Sequence, residues 1–129
     1  MEVPPYDGPH AMLTHRIIGC AIEVHRHLGP GLLESVYETA MVFELARQAI
    51  PIQRQVGLPL HYKGELISEH RPDLIVDNAV VVEIKSVKRL EPIHTAQVLT
   101  YLRVTGHRVG LLLNFNSVVM KNGIRRIIL

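Results

Sequence analysis

The sequence has a single cysteine, no long apolar run and no large excess of charge of either sign. Cys20 alone can form neither an internal disulfide nor a zinc site built from several cysteines. No apolar run approaches the roughly 20 residues that a membrane helix needs, so we expect a soluble chain with no membrane partner. Fourteen Lys and Arg against twelve Asp and Glu give a formal charge of +2, too small to imply a polyanionic partner by itself.

The N-terminal stretch MEVPPYDGPH lacks the charged and then apolar layout of a signal peptide. Together with the single cysteine, this leads us to expect a cytoplasmic protein. The 129 residues suffice for one hydrophobic core and contain no repeat or linker. We therefore expect one domain over residues 1–129, with the Pro-rich residues 1–10 flexible.

Apolar residues at helical spacing predict three helices, over about residues 11–28, 33–49 and 92–105. Glycines follow the first, Pro51 prevents the second from continuing, and Gly106 stands where a cap closes the third. Between the second and third helices, β-branched or alternating segments predict three antiparallel strands, over residues 52–62, 65–77 and 80–86.

After the third helix, the sequence predicts a short buried strand over residues 108–115 and a closing hairpin of residues 118–120 and 124–129. The element order is then α-α-β-β-β-α-β-β. A mixed sheet flanked by helices, an α/β arrangement, is the natural packing for this order. The apolar last strand could pair with a second subunit at a sheet edge.

Three charged residues interrupt the apolar strands, namely Asp73, Glu83 and Lys85. Glu83 and Lys85 share a face because they are two apart on one strand. A three-residue loop over 77–79 would set Asp73 opposite Glu83, whereas a two-residue loop would set it on the other face; Asn78 tolerates the left-handed conformation that the longer loop uses. The apolar runs 74–76 and 80–82 indicate strands covered on both faces.

Two opposed and buried carboxylates repel each other, so something must compensate them. Mg²⁺ would, because it binds through one or two carboxylates and keeps its other positions for water and phosphate oxygens. Lys85 would then hold or deprotonate a water and offset charge on the phosphate. The alternative is that Glu83 and Lys85 form a half-exposed ion pair while Asp73 caps a turn.

The sequence resembles the GxxExxY proteins, a branch of the PD-(D/E)xK nuclease superfamily. The name-giving motif stands as Gly31, Glu34 and Tyr37, and the nuclease-like core as Pro72-Asp73 followed by Glu83-Ile84-Lys85. The likeness continues through HTAQVLTYLRVTGHRVGLLLNF and KNGIRRIIL, so that it covers nearly everything after about residue 12.

The resemblance implies a restriction-endonuclease-like fold. It implies Asp73, Glu83 and the Ile84 carbonyl as ligands of Mg²⁺ or Mn²⁺, and Lys85 beside the attacking water. Glu34 resembles the helix carboxylate that many members add to the metal site, although an acid is also favourable in any first helical turn. Gln97 resembles a glutamine that positions a water or phosphate; the alternative for its helix face, shared with His94 and Tyr101, is ordinary solvation.

We therefore expect a metal-dependent nuclease acting on nucleic acid, DNA in preference to RNA, with a second copy or another protein as a further partner. Lys88 with Arg89, and Lys121 with Arg125 and Arg126, could follow a phosphate backbone if they share a face. The main alternative is a nuclease-fold module that binds nucleic acid or supports an assembly with little or no catalysis. A hydrolase of small phosphate esters is a third reading.

Overall fold

The structure, a computed structural model, describes residues 6–129. Within this range the chain forms three α-helices, seven strands and one 3₁₀ helix. In chain order these are α1 (Ala11–Leu28), α2 (Glu34–Arg47), β1 (Ile52–Arg54), β2 (Leu58–Tyr62), β3 (Glu65–His70), β4 (Leu74–Val76), β5 (Val80–Lys85), α3 (Pro92–Thr105), β6 (Val109–Asn114), the 3₁₀ helix (Met120–Gly123) and β7 (Ile124–Ile128).

The three predicted helices are confirmed. Helix α1 ends at Gly29, whose φ of 69° is in the left-handed region that favours glycine. Helix α3 begins with Pro92, where the missing N–H needs no partner, and is capped by Gly106 with a φ of 75°. These helix ends could be predicted from the sequence because Pro and Gly are rare inside helices and common at their ends.

Five strands form a mixed sheet in the order β1-β4-β5-β6-β7. Strands β5 and β6 are parallel and the other neighbours are antiparallel, because α3 carries the chain back across the sheet between them. The predicted α/β class with a mixed central sheet is confirmed, and it is consistent with a restriction-endonuclease-like fold. Strand β7 lies at one edge of this sheet, as expected.

Helices cover the sheet on both faces. Helices α1 and α2 pack on one face with Val82 and Ile84 of β5, and α3 packs on the other with Val81. Helix α3 approaches closely because Gly110 of β6 has no side chain, and a Cβ there would come within 2.5 Å of Val98 Cγ1. The expectation that β4 and β5 are covered on both faces is confirmed.

The expectation of three strands between α2 and α3 is wrong, since this segment forms five. The first predicted strand breaks after Arg54, where Gln55 has a φ of 54°. The second breaks after His70, and Pro72 there has no N–H to donate to a ladder. The middle pieces, β2 and β3, pair only with each other and form a separate hairpin.

The predicted closing hairpin is also wrong. Val118 and Val119 are exposed and form no strand, while Met120 is buried in the core as part of the 3₁₀ helix. Strand β7 pairs instead with β6. Gly123 allows the close turn, because a Cβ there would come within 2.4 Å of the Asn114 carbonyl oxygen.

The expected flexibility of residues 1–10 falls partly outside the described residues, which begin at Tyr6. The chain from there is held by Arg126, whose guanidinium donates to the carbonyl oxygens of Asp7 and Pro9 at 2.8 and 2.7 Å. None of the helices within residues 6–129 is long and apolar enough to cross a membrane.

Candidate functional site

The turn between β4 and β5 decides where the charged residues meet. Strand β4 pairs with β5 so that Leu74 faces Val82 and Val76 faces Val80, which leaves residues 77–79 as a three-residue loop. Asp77 and Asn78 have φ values of 51° and 50°. The three-residue loop is therefore confirmed, and it carries the pairing on to set Asp73 opposite Glu83.

Asp73 and Glu83 are tied together by two reciprocal hydrogen bonds. The Asp73 N–H donates to Glu83 Oε1 at 2.7 Å, and the Ile84 N–H donates to Asp73 Oδ2 at 2.7 Å. Each carboxylate thus accepts a bond from the backbone of the opposite strand. These bonds fix both side chains and leave further lone pairs on their oxygens.

Burial makes the ionised forms of both acids unfavourable. It raises the pKa of Glu83 to about 7, and the charge of Asp73 adds to the rise. Burial likewise raises the pKa of Asp73 to about 7, and the neighbouring carboxyl of Glu38 adds to it. The bonds from the backbone N–H groups oppose these shifts without cancelling them. When both acids are ionised, the pair therefore carries two like charges with limited access to water.

Lys85 extends from the end of β5 beside the carboxylates. Its Nζ lies 3.7 Å from Glu83 Oε2 and donates to Gln97 Oε1 at 3.2 Å. The Lys85 side chain is only 16% exposed, so it is held rather than free in solvent. The structure thus brings together four predicted site residues, Asp73, Glu83, Lys85 and Gln97, with the Ile84 backbone between the two acids.

The polar face of α3 also lies beside Lys85. His94, Gln97 and Tyr101 share this face, as their spacing of three and four residues predicts. His94, Gln97 and Tyr101 line one cavity together with Lys85. Burial raises the pKa of Tyr101 to about 12, and the charges of Glu83 and Asp73 contribute. His94 has a structural role as well, because its Nδ1 accepts a bond from the Glu91 N–H at the start of the helix.

Two residues near the acids were missed from the sequence, namely Arg54 and Gln55, and both contact Glu38 of α2. Gln55 Nε2 donates to Glu38 Oε1 at 2.8 Å and to Asp73 Oδ1 at 3.2 Å, bridging α2 to the site. Arg54 Nε donates to the other oxygen of Glu38 at 2.6 Å. For Glu38 the sequence does give a signal, because its spacing from Glu34 and Tyr37 puts all three on one stripe of α2 that could face inward.

The GxxExxY stretch builds the entry to α2. The Tyr37 hydroxyl donates to the Gly29 carbonyl oxygen at 2.5 Å and accepts from the Leu32 N–H at 3.1 Å, while its ring stacks on Phe115. Tyr37 is thus a packing residue with a satisfied hydroxyl. Glu34 is exposed in the first turn of α2. Its charge also raises the pKa of Glu83, but less than burial and the charge of Asp73 do.

The two carboxylates can supply part of the coordination of a hard divalent cation. Asp73 and Glu83 supply carboxylate oxygens, which Mg²⁺ prefers, and a cation would relieve the repulsion between them. Among residues 6–129, no group of three or more His, Cys, Asp or Glu side chains is placed to hold one metal ion. The site therefore matches binding through one or two carboxylates, and the role of Glu34 as a ligand stays a prediction.

A basic cavity opens at the same end of the sheet. It has a volume of about 240 Å³, and its lining includes Lys88, Arg89 and Arg125. Lys88 and Arg89 therefore line one cavity, and Arg125 of β7 joins them there in place of the grouping with Lys121 and Arg126 that the sequence suggested. Arg126 points elsewhere, because its guanidinium binds carbonyl oxygens of the N-terminal segment.

A family model matches the part of the chain that contains this site. The family model described as the PD-(D/E)XK nuclease superfamily matches residues 11–127, which include all three helices and the strands that carry Asp73, Glu83 and Lys85. The predicted resemblance is confirmed at the level of this superfamily, and the narrower GxxExxY branch stays a prediction. No curated protein and no solved structure matches the chain.

Proposed function

Because the chain belongs to the PD-(D/E)XK nuclease superfamily, we propose that it is a metal-dependent nuclease that hydrolyses phosphodiester bonds of nucleic acid, DNA in preference to RNA. The observation that carries the proposal is the arrangement of Asp73, Glu83 and Lys85. Each carboxylate accepts a hydrogen bond from the backbone of the opposite strand, and Lys85 lies beside Glu83. Buried acids whose pKa values are raised by burial and by neighbouring carboxylates, beside a lysine, are typical of functional sites.

Asp73, Glu83 and the Ile84 carbonyl would hold Mg²⁺ or Mn²⁺, and Glu34 would join them if its side chain moved inward. When bound, the ion would supply Lewis-acid chemistry that offsets the charge developing on the phosphate. The reciprocal backbone bonds keep the two acids in place before substrate arrives. Such preorganisation matters because misplaced groups lose much of their effect on the transition state.

Lys85 would act on the attacking water and on the phosphate. Its ammonium group is anchored by Gln97 and Glu83 on one side, which leaves further N–H donors for a water or phosphate oxygen. The water oxygen would form the new bond to phosphorus, the bond to the leaving sugar oxygen would break, and a proton would end on that oxygen. Gln97 is a positioning residue here because it acts through Lys85.

The basic cavity supports nucleic acid as the substrate. Lys88, Arg89 and Arg125 gather positive charge near the strand that ends in Lys85, although the net charge of the chain is only +2. Local clusters of this kind bind phosphates and release counterions, whatever the overall charge. Placement in the cytoplasm is part of the same proposal and is supported by Cys20, the only cysteine, which is buried.

Cleavage assays with labelled single- and double-stranded DNA and RNA test this function. We expect wild type to cleave with Mn²⁺ or Mg²⁺ and not in EDTA, and we expect Glu83→Ala and Lys85→Ala to lose at least 100-fold in rate, the scale of one transition-state donor. Glu65→Ala, in the exposed β3, is the matched control and should keep wild-type activity. Cleavage that survives EDTA, or that Glu83→Ala retains, contradicts the proposal.

A non-catalytic nucleic-acid-binding or assembly module is the second candidate. It is favoured by the fact that, within the described part of the chain, only two carboxylates and no third side chain of the usual ligand types gather as a metal set. Binding of nucleic acid that depends on Lys88 and Arg125, with no cleavage under any metal condition, would support this candidate over the nuclease.

A further inference from the structure

A groove of about 580 Å³ lies directly beside the proposed catalytic residues. One wall is α3 and the other is the separate β2–β3 hairpin, which contributes Leu60 and His70. This volume is within the range of pockets that hold small organic groups. The hairpin is not part of the central sheet, so the groove exists because this hairpin packs against α3.

The groove and the catalytic centre share two residues. Lys85 and Gln97, which are hydrogen-bonded to each other at 3.2 Å, line the groove as well as the site of the two acids. A substrate strand whose phosphate lies at Lys85 therefore has its neighbouring nucleotide at the mouth of this groove. The occupant is thereby limited to a part of the same substrate that the catalytic residues bind.

The lining of the groove suits a base better than a phosphate or a sugar. Ile93 and Ala96 of α3 and Leu60 of β2 present apolar surface, and Ile93 is 69% exposed. His70 is exposed and adds a ring, while the Tyr101 ring lies behind it at a centroid distance of 6.4 Å and is only 4% exposed. Aromatic and apolar faces of this kind bind bases by stacking, with little dependence on base identity.

We infer that this groove takes an unpaired base adjacent to the scissile phosphate, and that the substrate is therefore single-stranded nucleic acid or an unpaired end. The inference rests on the proposed nuclease function and adds its substrate class. A base inside a duplex is paired and stacked, and it would have to be flipped out at a cost in free energy before it could enter. A single strand offers its bases without that cost.

Equilibrium binding of a fluorescein-labelled oligothymidine and of a duplex of equal length, measured by anisotropy in EDTA, tests the inference. We expect the single strand to bind at least 10-fold more tightly than the duplex. We expect Ile93→Glu to weaken single-strand binding by roughly 5- to 100-fold, the range for loss of one stacked base. His70→Ala, which removes one ring from the opposite wall, should weaken it in the same direction.

The matched control is Val118→Glu, which adds the same charge at an apolar residue that is 85% exposed and does not line the groove. We expect this variant to bind like wild type. Thermal unfolding of each variant checks that the fold is kept, as expected for exposed positions. Equal affinity for duplex and single strand, or an Ile93→Glu effect no larger than that of Val118→Glu, overturns the inference.

Cleavage of the same oligonucleotides in Mn²⁺ separates this inference from the proposed function. If single strands bind selectively through Ile93 but nothing is cleaved, the nuclease proposal fails and the groove assignment stands. If wild type cleaves single strands and duplexes equally and Ile93→Glu cleaves like Val118→Glu, the nuclease proposal stands and the groove assignment fails.

Discussion

Two antiparallel hairpins follow one another along this chain, and they differ in nearly everything except their pairing. The β4–β5 hairpin is buried on both faces and carries Asp73 and Glu83 at its open end. The β2–β3 hairpin is largely exposed, turns through the two residues Lys63 and Gly64, and contains an irregularity after Leu60.

The difference shows what fixes a strand register. In β4–β5 a shift by one residue would turn every side chain of one strand to the opposite buried face and into the wrong hydrophobic cluster, so packing specifies the register strongly. In β2–β3 packing specifies the register less, and the turn residues contribute more to it, because their φ values of 50° and 84° match the tight hairpin turn. Asp73 and Glu83 lie on the hairpin whose register tolerates no shift.

Among the changes that test this comparison, deletion of Asn78 should have the largest effect on stability. The deletion shortens the loop to two residues and moves either β4 or β5 by one position, which turns the buried side chains of that strand to the wrong face. We expect most of the protein to be unfolded at 25 °C, since a domain has only about 5–15 kcal/mol of stability. Circular dichroism with urea titration measures it.

The control is insertion of one glycine after Gly64 in the exposed hairpin. It should cost about 1 kcal/mol or less, because lengthening a surface turn adds little loop entropy. An Asn78 deletion that unfolds at the wild-type urea concentration would contradict the account of the register.

Truncation of one leucine in each hairpin gives the next largest effect. Leu74 in β4 is fully buried, whereas Leu66 in β3 is 64% exposed. We expect Leu74→Ala to lower the free energy of unfolding by about 2–5 kcal/mol, from lost burial and the cavity left behind. Leu66→Ala should stay within about 0.5 kcal/mol of wild type in the same urea titrations. Similar losses for both variants would show that the exposed hairpin is packed more than its surface indicates.

The acidic residues of the two hairpins should differ in how they affect the pH dependence of stability in EDTA. We expect this difference to be smaller than that between the two leucine truncations. The folded pKa values of Asp73 and Glu83 are raised to about 7, so the fold favours their protonated forms. Their contribution to stability is fully present below the unfolded values near pH 4 and is lost as pH rises to about 7. Glu83→Gln should therefore be more stable than wild type at pH 8, by on the order of 1–3 kcal/mol.

Glu65→Gln in β3 is the control and should follow the wild-type pH profile, since its side chain is exposed. Thermal unfolding at pH 5 and pH 8 gives both comparisons. If Glu83→Gln is less stable than wild type at pH 8, the two acids do not repel each other in the metal-free protein, and the electrostatic argument for a cation fails.

Much of the buried half of the molecule could be predicted from the sequence. The helices were marked by Pro92, Gly106 and the glycines after Leu28, and the apolar runs around Asp73 and Glu83 indicated strands covered on both faces. The loop of residues 77–79 was one of two lengths that the sequence left open, and the tolerance of Asn78 for positive φ made it plausible. In each case an unusual backbone preference of Pro, Gly or Asn, or an uninterrupted apolar run, limited the choices.

The breaks in the strands could not be predicted in the same way. Gln55 ends β1 with a φ of 54°, a conformation that glutamine seldom adopts, and its side chain bridges Glu38 and Asp73. Its position is decided by this long-range contact and not by its neighbours in sequence. Met120 likewise leaves the predicted hairpin because its side chain is buried in the core.

Calorimetric titration of Mn²⁺ into the full chain tests the central claim most directly, namely that Asp73 and Glu83 form a cation site. The account predicts binding to wild type and to the control Glu65→Ala, and loss of binding in Glu83→Ala. Unchanged binding in Glu83→Ala, or no binding to wild type, would contradict it and leave the paired acids as a structural feature of the β4–β5 hairpin.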